Sequence, residues 1–163
     1  MRKAYIITKI NVAYFQEDIL YFDDFNVGDT FELESIVIGR QKMMEFAHDY
    51  DPQKIHTDEE HGRDSRFGDI IAPGIMSFMS VWAKFVKRNI IFDNFIAAQN
   101  FRIDWLAPVF AGDELTGKVK ITRLEPRNKY NGIVDVNLAI FNQEGRKVMD
   151  TVTEAILNRR QGR

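Results

Sequence analysis

Residues 74 to 89 constrain this chain most: Gly-Ile-Met-Ser-Phe-Met-Ser-Val-Trp-Ala-Lys-Phe-Val-Lys-Arg-Asn. The run is apolar on almost every side until Lys84, and a helix of that kind is normally buried. Pro73 stands just ahead of it, which suits a helix start. The longest apolar stretch, 70 to 83, is broken by Pro73, Gly74, Ser77 and Ser80. A bilayer span takes about 20 apolar residues, so the stretch predicts a buried core helix rather than a membrane segment.

Cover for that helix lies downstream. Residues 114 to 124 alternate, with Leu115, Val119 and Ile121 on one face and Lys118, Lys120 and Thr122 on the other. Residues 132 to 141 alternate too, with Val134, Val136, Leu138 and Ile140 inward. Asn142-Gln-Glu-Gly145 is a hairpin signal, and 146 to 157 form a last strand with a less regular pattern. Residues 95 to 103 make a further strand. Upstream, 31 to 38 predict a strand and 41 to 50 a short helix with Met44, Phe46 and Ala47 as its apolar residues. That helix stops near Tyr50, because Pro52 pushes Asp51 out of the α region. Residues 51 to 69 are polar and predict a long loop with about one helical turn; ordered loops of that length are often functional.

Late strands joined by short turns imply an antiparallel sheet. The expected fold is therefore α+β, one domain over residues 1–163, with the sheet curled around one long central helix. Residues 1–20 form an N-terminal extension, and 159–163 a short, basic, solvated tail. Val27-Gly-Asp-Thr-Phe31 echoes Phe110-Ala-Gly-Asp-Glu-Leu115; both predict a Gly-Asp turn feeding a strand, which is too little for a repeat.

Charge and composition narrow the function. With 22 Lys+Arg against 24 Asp+Glu the net charge is -2, which does not favour nucleic acid as a partner. The chain has no cysteine, so disulfides, thiolate catalysis and Cys-based metal sites are excluded. Lys9 cuts short the apolar stretch at the basic start, a poor signal peptide. The expectation is a cytoplasmic protein with no membrane partner.

The chemistry-bearing stretch is Ala47-His-Asp-Tyr-Asp51-Pro-Gln-Lys-Ile-His56-Thr-Asp58. A carboxylate and an imidazole that meet on a loop can hold a water between them, one accepting its proton and the other orienting it. A loop Asp before proline is also a turn former, and a loop His is often merely exposed. Spacing alone leaves both readings open.

Asp51-Pro-Gln-Lys-Ile-His56, followed by Phe67-Gly68-Asp-Ile-Ile-Ala-Pro-Gly74-Ile75-Met76, resembles the MaoC-like dehydratase family, which includes the (R)-specific enoyl-CoA hydratases and has the hotdog fold. Tyr21 to Phe31, Pro108 to Leu115 and Asn142 to Gly145 resemble further parts of the family in order. The resemblance implies a hydro-lyase acting on an acyl-CoA thioester, with Asp51 and His56 catalytic and the Gly74 N–H facing the thioester oxygen. It places Phe67, Gly68, Ile75 and Trp82 at the substrate. It implies no metal, no cofactor beyond the CoA thioester itself, and a homodimer or dimer-based oligomer.

The sequence departs from the family at several positions. Gln53 and Lys54 replace the usual Asn and Pro, Pro73 replaces a frequent His, and Trp82 stands where a hydratase serine is expected, an indole that would alter the pocket. Two alternatives remain: a hotdog thioesterase, or a non-catalytic acyl-thioester-binding module. His48, Asp58 and His61 match no common zinc spacing. Asp104-Trp105 could face the pocket or simply end a strand. Arg63, Arg66 and Arg102 could each meet CoA phosphates, and the sequence does not choose among them.

Overall fold

The computed structural model describes residues 20–160. Its elements are β1 (Thr30–Glu32), β2 (Ile36–Val37), α1 (Arg40–Tyr50), α2 (Lys54–Thr57), α3 (Glu59–Asp64), α4 (Gly74–Arg88), β3 (Phe95–Trp105), β4 (Glu114–Pro126), β5 (Asn131–Phe141) and β6 (Lys147–Asn158). All strand pairs are antiparallel, in the order β1-β4-β5-β6-β3, with β2 also alongside β4. The alternating residues of β4 and β5 fall inward as their periodicity requires: Leu115, Val119, Ile121, Val134, Val136, Leu138 and Ile140 are all buried. They share one core with Met76, Phe78, Val81, Trp82 and Phe85 of α4. This is the sheet-around-helix arrangement that the periodicity predicts. Complete burial of a side chain such as Phe85 contributes about 1.5–3 kcal/mol.

Several expectations are adjusted. The strand over 31 to 38 is broken in two. Thr30 faces Lys120 and Glu32 faces Lys118, but Ile36 faces Leu115 rather than Glu114. One extra residue has entered, so the inward side chains switch from Phe31 and Leu33 to Ile38. In α1 the fully buried residues are Met43 and Ala47, while Met44 and Phe46 are only partly covered. The polar loop holds two short helices, not one turn. Asp58 caps the second, its Oδ1 accepting from the His61 N–H at 3.0 Å. The basic tail is anchored where it is described: Arg159 pairs with Asp23 at 2.7 Å and Arg160 with Asp24 at 2.8 Å. The Arg159 guanidinium holds the Asp23 carboxyl below its ordinary value. The N-terminal extension, apart from Leu20, lies outside the described residues.

Helix α4 differs from expectation on one side. Its buried face points at the sheet, while Ile75 (47%), Met79 (46%) and Val86 (38%) are exposed. The helix ends at Asn89, which adopts a left-handed conformation (φ 52°). The twin Gly-Asp turns match closely. Gly28 and Gly112 have φ of 99° and 90°, and Asp29 and Asp113 each accept the N–H three residues back at 2.8 Å. Among the described residues no helix is long and apolar enough to cross a membrane.

Candidate active site

Asp51 sits at the end of α1, its N–H donating to the Ala47 carbonyl at 2.9 Å. Pro52 prevents another helical turn, and the chain re-enters helix at Lys54, so Asp51 and His56 hang from two adjoining helix ends. His56 is buried at 6% exposure. Its Nδ1 lies 2.7 Å from the Ile71 carbonyl oxygen. A carbonyl only accepts, so Nδ1 carries the proton and Nε2 is left for chemistry. Ile71 is fixed in turn, its N–H donating to the Ile55 carbonyl at 3.1 Å.

His56 Nε2 lies 3.4 Å from Asp51 Oδ2, long for a direct hydrogen bond. A water set to one side of that line can reach both. The second carboxylate oxygen is occupied: the Gln53 amide donates to Asp51 Oδ1 at 2.7 Å. Gln53 thus orients Asp51 so that a single oxygen turns toward the imidazole.

His56 and Gly74 line one cavity of about 330 Å³, together with Phe67, Ser77 and Trp105. That is the lower end of small-molecule pocket sizes. Gly74 opens α4, so its N–H has no acceptor within the helix and lies at the positive end of the helix dipole. The position requires glycine for a local reason as well. A Cβ there would lie 2.0 Å from the Trp105 indole nitrogen. Across the loop, Arg40 pairs with Glu59 at 2.9 Å and Asp69 at 3.3 Å, tying α1 to α3 and to the segment that carries Ile71. Arg40 and the Ile70 N–H together hold the Asp69 carboxyl below its ordinary value.

Not every expected residue reaches the cavity: Asp51 is outside its lining and adjoins it through His56. Phe67 lines it, with the Arg66 guanidinium 4.9 Å above its ring. Gly68 makes the turn that follows, at φ 76°. Ile75 points outward on the exposed side of α4. Trp82 packs instead among Phe85, Phe92 and Phe101, with centroids 5.2–5.7 Å away, and on α4 the wall falls to buried Ser77. Of the two readings of Trp105, the structure supports the pocket-facing one. The opposite wall, Leu106 to Val109 with Met149, carries no local sequence signal, because only tertiary pairing brings it there.

A family model for the FAS1-like dehydratase domain region matches residues 26–151. The chain belongs to this dehydratase family. The uncharacterized protein YdeM of Bacillus subtilis (strain 168) is 30% identical over 84% of this chain and 98% of its own. A MaoC-like dehydratase from Rhodospirillum rubrum superposes with a TM-score of 0.80 at 26% identity, covering 86% of this chain and 98% of that one. The R-hydratase PhaJ1 of Pseudomonas aeruginosa shares the fold, with a TM-score of 0.67 at 20% identity over 88% and 92% of the two chains. The dehydratase is thus a MaoC-like protein of the hotdog fold, and its activity is of the dehydratase–hydratase type.

Proposed function

We propose that the dehydratase interconverts an enoyl-CoA and an (R)-3-hydroxyacyl-CoA. The observation that carries the reading is His56, locked by Ile71 with Nε2 turned to Asp51, in the cavity that also receives the start of α4. In the hydration direction, a water sits against Asp51 Oδ2 and His56 Nε2. Asp51 takes a proton as the water oxygen bonds to the β-carbon of the unsaturated thioester. The π electrons move to the thioester oxygen, which the Gly74 N–H and the helix dipole stabilise. The α-carbon then takes back the proton that Asp51 accepted, relayed through His56 Nε2, which leaves Asp51 ionised and His56 neutral again. Reversing these steps removes water.

The cofactor requirement is the CoA thioester alone, with no metal. The partner is a second copy of the chain. Strand β3 is a long edge of the sheet, with Ile96, Phe101 and Trp105 exposed along it, and the uncovered side of α4 lies in the same chain. Unpaired apolar edges are normally covered, and pairing β3 with its symmetry mate does so.

Product analysis tests the activity. Incubation with a short enoyl-CoA is expected to remove the enoyl absorbance, release no free thiol and yield the (R)-3-hydroxyacyl product. Release of free CoA instead means a thioesterase. Binding without turnover at any chain length means a non-catalytic module.

A further inference from the structure

We infer that Arg66 is an anion-binding residue of the substrate site, taking an oxyanion group that the thioester itself carries. The inference rests on the thioester reading above. Of the three arginines that the sequence left open, the structure separates one. Arg102 pairs with Asp104 at 3.7 Å, and Arg63 is outside the cavity. Arg66 lines the cavity that contains His56 and Gly74. No carboxylate pairs with it among the described residues.

Its placement is also set. The guanidinium rests over the Phe67 ring, and a cation held on an aromatic face keeps its N–H fork free at the ring's rim. The turn beneath it is ordered, with the Phe67 N–H donating to Ser65 Oγ at 3.1 Å and the Gly68 N–H to the Ser65 carbonyl at 3.1 Å. An unpaired, pre-positioned arginine at a reaction cavity suits a carboxylate or a phosphate, both of which match its bidentate geometry. The thioester offers two sources: the phosphates of CoA and a carboxylate at the end of the acyl chain.

Four substrates separate the sources: crotonyl and glutaconyl chains, each carried on CoA and on N-acetylcysteamine, which has no phosphate. Arg66 is exposed, so Arg66→Gln leaves the core packing alone. On thioesters bearing the bound anion, KM is expected to rise by about tenfold to a hundredfold, as for loss of one hydrogen bond to a charged group, with kcat moving far less. Arg66→Lys recovers part of the loss. A rise confined to the CoA carriers identifies phosphate, and one confined to the glutaconyl chains identifies the acyl carboxylate. An unchanged KM on all four overturns the inference. So does an equal rise that includes crotonyl-N-acetylcysteamine, which has no anion. If the wild-type protein turns over none of them, the hydro-lyase reading fails separately. The anion site is then read by calorimetry with CoA and with free glutaconate: weaker binding of either to Arg66→Gln supports it, and equal or absent binding of both overturns it.

Discussion

Two stretches that meet at Pro73 are built on opposite terms. Helix α4 is held by packing: its inward side chains interlock with β4 and β5, and its identity is a pattern of apolar residues. Segment 51–73 gives Ile70 and Ala72 to the same core, but its polar part is held by point contacts: one histidine to one carbonyl, one amide to one carboxylate, one arginine across two acids. Damage to the first should cost stability, and damage to the second should cost chemistry while leaving the fold. The cavity lies where the two meet.

The largest effect expected is on the packed side. Phe85→Ala should destabilise the protein by about 3–5 kcal/mol, read in denaturant unfolding, because fully buried Phe85 leaves a cavity behind. On the other side, His56→Gln should lower kcat by about 10²–10⁴-fold, since an amide cannot serve as the acid–base group, with a fall in melting temperature far smaller than that of Phe85→Ala because one hydrogen bond to Ile71 is at stake. A large loss of stability with His56→Gln would erase the contrast. At the junction, Gly74→Ala should do both in miniature. The new Cβ displaces the Trp105 indole, and kcat should fall on the order of 10²-fold, as for a misplacement near 1 Å. Tryptophan emission should shift with little change in stability, because Trp105 is 55% exposed.

Two smaller effects sharpen the comparison. Met79→Glu charges the outward face of α4 and should shift a dimer toward monomer in sedimentation, because that face is bare in a single chain. Arg159→Ala should cost at most about 1 kcal/mol, as for a surface ion pair. The Asp23 carboxyl is held below its ordinary value in the folded state. Its contribution is therefore present above about pH 4 and lost as the pH falls further. In Arg159→Ala that acid-side loss should flatten.

The same division explains what could be read from the chain. The sheet and α4 were legible because burial imposes periods of 2 and 3.6 on apolar residues, as at Leu115 to Ile121 and Met76 to Phe85. The extra residue between β1 and β2 was not, because it changes which face a side chain takes without changing composition. Asp51 and His56 were legible as a pair only through the family resemblance, since five-residue spacing carries no geometry. The Ile71 carbonyl was out of reach: any residue supplies a carbonyl, and its meeting with His56 depends on the chain returning from α3. Trp82 misled for a related reason. Its position along the helix was clear, but the aromatic neighbours that draw it away from the cavity come from distant parts of the chain. The outward face of α4 was invisible too, because an apolar residue under the sheet and one awaiting a partner look alike.

The most direct measurement is turnover of a short enoyl-CoA by Asp51→Asn beside wild type, with melting temperatures recorded on the same preparations. Asparagine keeps the shape and the neighbours of Asp51 while removing the oxygen that takes the proton. Loss of hydration at an unchanged melting temperature is the expected result. Near-wild-type turnover in that variant would contradict the account.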